Sequence, residues 1–273
     1  MTTRLALLLT GLMVVSAATA HGVFDARMQA LDEAIRLTPG DATLYLRRGV
    51  ASREHGDWNA ALHDFRTAAK LTAAGSEARI LIAATLHDAG QVQQAVDKLD
   101  EIIAATPANS DALLERARSL ETQRRWLAAA ADLGTAIAVM DPLVPEVILT
   151  RAKVLQSAGP EHMAAAIATL ENGIAQLGPV ASLVRRLADL AMNETHFAAG
   201  LAALDQLPAA VQSRPNWLQR RAGLLSAGGE VAAARDAYQA ALAGLQSIPA
   251  TRRATRAMTA LEAELISQLE ALQ

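Results

Sequence analysis

Apolar, small and turn residues recur along this chain every 34 residues, which is the mark of an internal structural repeat. Two series of small residues define the period: Gly49, Ala83, Ala117 and Ala61, Ala95, Ala129. Within each unit the apolar residues fall into two segments with steps of three or four positions, the spacing of an amphipathic α-helix. The pattern therefore predicts consecutive helix hairpins from residue 22 to about residue 140.

The unit 42–75 shows why these residue types recur. Small residues at Gly49 and Ala61 allow two antiparallel helices to approach closely, and the bulky Trp58 and Phe65 are predicted to fill the core beside them. Gly56 is placed to end the first helix in a left-handed conformation. Asp57 is placed to cap the second helix. One such hairpin cannot bury its own apolar face, so the sequence favours a stack of hairpins.

The period becomes looser after residue 140 but continues to about residue 247. Prolines and glycines mark the joints, at Pro142, Pro145 and Gly159. The unit 181–214 departs furthest from the plan, because Gly200 replaces the alanine and Pro208 is predicted to cut the second helix short.

The small-residue pair, the turn glycine, the aromatic residue two positions later and the closing proline resemble the tetratricopeptide repeat. The resemblance covers residues 22–247 and implies an all-α fold, an α-solenoid of about six repeats with terminal capping helices. In that family the first helices of successive repeats line a concave groove that binds protein or peptide partners. The resemblance therefore implies a protein-binding function without catalysis.

The segment before the predicted solenoid, which spans residues 42–247, divides into a signal peptide and a capping helix. Residues 1–20 have the pattern of a secretory signal peptide, with Arg4, an apolar run and the cleavage pattern Ala18-Thr19-Ala20. Cleavage after Ala20 predicts a periplasmic or secreted protein without stable membrane insertion. An uncleaved anchor and a buried first helix are the alternatives. Residues 21–41 are predicted to form a half-repeat N-terminal capping helix.

The C-terminal segment 248–273 is predicted to end the solenoid. Its apolar residues recur at steps of three or four from residue 250 onward, at Met258, Leu261, Leu265, Leu269 and Leu272. We interpret this amphipathic helix as a C-terminal cap on the last repeat. A partner-binding or membrane-surface helix is the alternative.

Composition supports the all-α prediction and limits the chemistry. Hydrophobic residues make up 52% of the chain but aromatic residues only 3%, so the apolar content is mainly alanine and leucine, which favour helices. The net charge of −3 and the lack of a long basic run argue against a nucleic-acid partner. With no cysteine, the chain has neither disulfides nor thiolate metal sites.

No catalytic or cofactor-binding motif is present, so the sequence predicts a non-enzyme without a cofactor. One alternative function rests on the N-terminus. Cleavage after Ala20 would expose the amine of His21, and an amine with an imidazole forms a nitrogen chelate that suits Cu(II). Copper handling through His21 is therefore the alternative hypothesis.

The repeat register also predicts which side chains face the partner groove. These are Leu46, Val50, Arg53, Glu77, Ile80, His87, Asp111, Leu114, Arg118, Glu146, Leu149 and Lys153. The set contains an apolar stripe, an acidic stripe and scattered positive charges, which suits a peptide with apolar anchors and some basic character. The alternative is that these residues belong to the inter-repeat core or to ordinary surface.

A further series of arginines precedes the small residue of several first helices. Its members are Arg48, Arg116, Arg151 and Arg221. We predict a structural role for them, either in ion pairs with acids on neighbouring helices or in packing of their alkyl stems.

Overall fold

The computed structural model describes residues 22–72, 76–193 and 195–272, and every regular element in these ranges is helical. The predicted signal peptide and His21 lie outside the described residues. The chain divides into two compact units, of which the first ends at Arg125 and the second begins at Trp126. The all-α prediction is confirmed.

The helices of the first unit are α1 (22–37), α2 (Ala42–Glu54), α3 (Trp58–Leu71), α4 (Ser76–Asp88), α5 (Val92–Ala105) and α6 (Ser110–Thr122). Those of the second unit begin with α7 (Trp126–Val139), α8 (Pro145–Ala158), α9 (Met163–Leu177), α10 (Ala181–Leu190) and α11 (Phe197–Asp205). The second unit ends with α12 (Ala209–Gln212), α13 (Pro215–Ala227), α14 (Val231–Gln246), α15 (Ala250–Arg253) and α16 (Arg256–Ala271). A 3-10 turn at Pro160–His162 precedes α9.

Successive long helices contact each other within each unit. In the first unit α2 packs on α3, α3 on α4, α4 on α5 and α5 on α6. In the second unit the same order runs from α7 to α11 and then through α13 to α14 and α16. Each hairpin thus buries its apolar face against the next one, which is the packing principle of an α-solenoid.

The α2–α3 hairpin confirms most of the local predictions for its repeat. Gly56 has a φ of 86°, in the left-handed region where glycine is favoured. The Asp57 side chain accepts a hydrogen bond from the amide of Ala60 at 3.1 Å, so it caps α3. A Cβ on Gly49 would lie 2.6 Å from Cε1 of Phe65, which shows why α2 has no side chain there. Phe65 is fully buried.

Trp58 differs from its prediction, because it is only half-buried. Trp58 is the first residue of α3, and helical side chains lean toward the N-terminus of their helix. At this end of the hairpin the indole is only partly covered by the surrounding residues. The aromatic position after the turn is thus a flank of the repeat rather than part of its core.

The N-terminal helix α1 packs on α2 through polar and aromatic contacts. Arg27 donates a hydrogen bond to Glu54 at 2.9 Å, and the rings of Phe24 and His55 stack with centroids 4.0 Å apart. Leu31 of α1 is buried. These contacts attach α1 to α2 and its C-cap, and the half-repeat assignment of residues 21–41 stays a prediction.

At the C-terminus, the predicted single helix is divided. The short helix α15 ends at Arg253, and α16 begins at Arg256 with Thr255 as its N-cap. The apolar face of α16 packs against the α14 core, with Leu265 fully buried and Met258, Leu261, Leu269 and Leu272 around it. The apolar face that the sequence assigned to a cap is therefore occupied by α14.

Candidate functional site

The predicted groove residues of the first unit lie on three first helices, which we call the α2–α4–α6 face. It is formed by Leu46, Val50, Arg53, Glu77, Ile80, His87, Asp111, Leu114 and Arg118. The apolar members are all half-buried, so part of each side chain is accessible to a partner. Ile80 also packs against the core cluster around Leu99 and Ile102, so its role is partly structural.

A carboxylate that the sequence did not single out joins the ends of the three helices. Asp88, the last residue of α4, accepts hydrogen bonds at Oδ2 from Arg53 of α2 at 2.7 Å and at Oδ1 from Arg118 of α6 at 2.6 Å. Arg118 also lies 3.4 Å from Glu115. Arg53 and Arg118 are therefore internally paired, and they do not act as the free positive charges that the sequence suggested.

The electrostatics of Asp88 follow from these contacts. Partial burial raises the pKa of Asp88, but the hydrogen bonds and positive charges of Arg53 and Arg118 outweigh it, so the pKa lies below the usual aspartate value. Asp88 is consequently ionised at neutral pH and holds both arginines in place. The periodic signal could not reveal this link, because the acid 34 residues before Asp88, Glu54, pairs with a different arginine, Arg27.

His87 lies beside this ion-pair network. Its Nδ1 is 3.0 Å from the hydroxyl oxygen of Ser119, which is buried in α6. Burial and the nearby Arg118 charge lower the pKa of His87, so the imidazole is neutral at pH 7. The geometry gives His87 a structural hydrogen bond rather than a metal-binding or acid–base arrangement.

The acidic stripe of the α2–α4–α6 face remains exposed. Glu77 lies in the first turn of α4 and Asp111 in the first turn of α6. Both are exposed, and within the described part of the chain neither forms an ion pair. Since the arginines of the face are paired, the free charge that it offers to a partner is negative.

The remaining predicted groove residues belong to the second unit. Glu146, Leu149 and Lys153 lie on α8, where Glu146 and Lys153 are exposed and Leu149 is half-buried. They occupy the same register of a first helix as their counterparts in the first unit. Their role in partner binding stays a prediction.

The arginines before the small residues form ion pairs in the first unit, as predicted. Arg48 contacts Asp32 and the buried Asp64, both at 2.7 Å, and each acid lies 16 residues away in sequence. Arg116 contacts Asp100 with the same separation, at 2.6 Å.

The arginines of the second unit divide into two kinds of contact. Arg221 pairs with Asp205, again 16 residues away. Arg151 instead donates to the carbonyl of Ala130 at 3.2 Å, and burial lowers its pKa. The series is thus structural, although Arg151 reaches a backbone oxygen rather than a carboxylate.

No group of three or more metal-ligating side chains occurs within residues 22–72, 76–193 and 195–272. His21 itself lies outside these ranges, so the copper hypothesis stays a prediction. No helix in the described ranges has both the length and the apolar character needed to span a membrane.

Comparison with known proteins shows the fold and no more. No family model and no curated protein matches the chain. Among solved structures, the C-terminal part of a TPR repeat-containing protein from Cytophaga hutchinsonii is 11% identical with a TM-score of 0.53, covering 93% of this chain and 92% of that one. A tetratricopeptide repeat protein from Parabacteroides merdae is 16% identical with a TM-score of 0.47, covering 91% and 94%. The chain therefore has the all-α solenoid fold of tetratricopeptide-repeat proteins.

Proposed function

We propose that this protein is a non-enzymatic scaffold that binds a protein or peptide partner on the α2–α4–α6 face. The observation that supports the proposal is the combination on one face of half-exposed Leu46 and Leu114 with the unpaired carboxylates of Glu77 and Asp111. Solenoids of this type commonly serve as protein-binding scaffolds.

The chemistry of the face selects the partner. Half-exposed leucines can bury an apolar side chain of a bound segment, which supplies most of the binding free energy. Exposed carboxylates attract lysine or arginine side chains and increase the association rate. The expected partner is therefore a segment with apolar anchors and basic residues.

We also propose that the mature protein acts beyond the inner membrane, in the periplasm or outside the cell. The basis is the signal-peptide pattern of residues 1–20. N-terminal sequencing of the protein from a periplasmic fraction tests this point, with His21 expected as the first residue. An intact N-terminus in the cytoplasmic fraction would refute it.

Affinity capture from a periplasmic extract, with quantitative mass spectrometry, tests the binding face. Leu46→Glu and Leu114→Glu should abolish capture of the specific partner, because a charge in a dry contact must be desolvated without a pair. Leu37→Glu is the matched control, since Leu37 is 65% exposed at the end of α1 and away from the face. Circular dichroism of each variant checks that the fold is unchanged.

The outcomes separate the candidate roles of the face. Loss of capture with an unchanged helical spectrum supports the proposal. Equal capture by wild type and both face variants would rule out the α2–α4–α6 face. The charge reversals Glu77→Lys and Asp111→Lys should weaken binding of the basic partner and alter its salt dependence.

A further inference from the structure

In the first unit, arginines at equivalent positions of the first helices form ion pairs in α2 and α6 but not in α4 between them. Arg48 in α2 lies between Asp32 and Asp64, and Arg116 in α6 contacts Asp100. In both cases the arginine meets acids on second helices, 16 residues away in sequence. Each arginine thus neutralises carboxylates of the neighbouring second helices.

The repeat between these two arginines reverses the arrangement. Ile82 occupies the arginine position, 34 residues from both Arg48 and Arg116. The positions 16 residues before and after it carry Arg66 and Lys98 instead of acids. An apolar residue thus replaces the central cation, and two cations replace the flanking acids.

This reversal coincides with an open cleft of about 930 Å³ between α3, α4 and α5, which we call the basic cleft. Ala69 and Ile82 are half-buried apolar residues of its lining, which also includes the buried Leu86 and Ile102. Four cationic side chains also line it: Arg66, Lys70, Arg79 and Lys98. Arg66 and Lys70 lie one helical turn apart and therefore on the same side of α3.

The charges of the basic cleft are only partly compensated. Lys98 pairs with Glu101 at 2.7 Å, and Asp97 accepts a hydrogen bond from Gln93 at 2.8 Å. Within the ranges that the structure describes, Arg66, Lys70 and Arg79 form no ion pair. Four cations against two carboxylates leave an excess of two positive charges (4 − 2) in a protein whose net charge is −3.

We propose that the basic cleft is a second docking site, which binds an acidic protein segment carrying an apolar anchor. The apolar lining requires an apolar group from the ligand, and the unpaired cations require carboxylates beside it. A single inorganic anion would leave the apolar lining uncovered. A nucleic acid would bring phosphates to every side of the cleft, including Asp97 and Glu101 on the α5 side, whereas a protein segment can place its carboxylates only beside the α3 and α4 cations.

This site is independent of the α2–α4–α6 face. That face is acidic and selects a basic partner, whereas the basic cleft selects an acidic one. A protein with both surfaces can join two partners of opposite charge, and failure of one site in an experiment leaves the other intact.

The probe for the experiment is a fluorescein-labelled helical peptide with leucines along one side and glutamates on both flanks. Its control has glutamine in place of every glutamate, because a lysine peptide would be a ligand for the acidic α2–α4–α6 face. Fluorescence anisotropy with the full mature protein should show saturable binding of the acidic peptide and at least about tenfold weaker binding of the glutamine peptide. Binding should weaken steeply with added salt, because charge pairs are screened.

Two charge-matched double variants locate the binding. Arg66→Glu with Arg79→Glu should raise the Kd of the acidic peptide by at least about tenfold. Arg47→Glu with Arg185→Glu makes the same change in net charge at exposed arginines outside the cleft and should change the Kd by less than about twofold. Circular dichroism should show both double variants folded, because all four arginines are exposed.

A triple variant tests the role of the reversed charges directly. Ile82→Arg with Arg66→Asp and Lys98→Asp recreates in the middle repeat the arrangement found around Arg48. It should keep the helical spectrum and the melting temperature and lose the acidic peptide. Retained peptide binding by a folded triple variant would contradict the proposal.

Three other results would overturn the assignment. An equal loss of binding in both double variants would show a non-specific charge effect. Stronger competition by a single-stranded oligonucleotide than by unlabelled acidic peptide would indicate a nucleic-acid site. A dimer that dissociates when Arg66 and Arg79 are reversed would identify a second copy of this chain as the occupant.

Discussion

Replacing Gly49 with alanine tests the close approach of α2 and α3 with a single methyl group. An ideal Cβ at this position lies 2.6 Å from Cε1, 2.9 Å from Cδ1 and 3.1 Å from Cζ of Phe65. Phe65 is fully buried, so its ring cannot swing into solvent to relieve the contact. The backbone or the ring must shift, which is the condition of an overpacked core.

Two opposing effects set the magnitude. Alanine within a helix is more stable than glycine by roughly 0.5–1 kcal/mol. Overpacking of a well-packed core costs about 1–3 kcal/mol. The overpacking cost is larger, so Gly49→Ala should lower the free energy of unfolding by about 1 kcal/mol in total.

The same substitution at Gly223 provides the control. Gly223 lies inside α13, and the nearest atom to its Cβ position, Sδ of Met192, is 3.4 Å away, an ordinary contact. Gly223→Ala should therefore stabilise the protein by about 0.5–1 kcal/mol. If the same substitution lowers the free energy of unfolding at Gly49 and raises it at Gly223, the Phe65 ring is identified as the cause.

A double-mutant cycle gives the decisive result. In a Phe65→Leu background the ring is gone, so Gly49→Ala should lose its destabilising effect or become stabilising. Urea denaturation followed by circular dichroism measures the free energy of unfolding of each variant in the cycle. Hydrogen exchange, measured for each helix, shows which helices lose protection. If the two changes are additive, the ring does not set the cost of a side chain at Gly49.

Three further predictions follow from other contacts. Arg124 has a left-handed φ of 57° at the position of the turn glycine, so Arg124→Gly should raise stability by about 0.5–1 kcal/mol in urea denaturation. Arg48→Ala leaves Asp64 buried without its partner and should lower the free energy of unfolding by about 3 kcal/mol in the same assay. Asp32→Ala, at a side chain that is 60% exposed, should lower it by less than about 1 kcal/mol. Because the folded-state pKa of Asp88 is lowered, its contribution to stability is present above about pH 4 and is lost as the pH falls further, so Asp88→Asn should flatten acid denaturation.

The sequence was sufficient for the repeat architecture because the residues that build it recur. Gly49, Gly56, Asp57 and Phe65 perform the functions that their types and positions predict. These functions are local, and each needs only a neighbouring turn or the partner helix of the same hairpin. Trp58 could not be placed correctly, because its burial depends on where the hairpin ends rather than on the helical spacing.

The candidate site was less predictable, because its charges interact across repeats. The register assigned Glu77 and Asp111 to the groove, and both are exposed, but it counted Arg53 and Arg118 as free positive charges. Their pairing with Asp88 depends on the arrangement of three helices from three repeats. A periodic pattern reveals residue types that recur, but not which charges pair with each other across repeats.

Residues that recur in the repeats and residues that depart from the pattern carry different information about function. Residues that recur in every repeat are accounted for by the packing of the hairpins, so they carry little information about the partner. Departures from the pattern have no such packing explanation, and Ile82 with Arg66 and Lys98 is the clearest departure in the first unit. The reversal replaces an ion pair of the kind that Arg48 forms, and the basic cleft is lined by the three residues that replace it. Because recreating that ion pair requires only three substitutions, the triple variant measures directly whether the departure serves binding or is only tolerated by the fold.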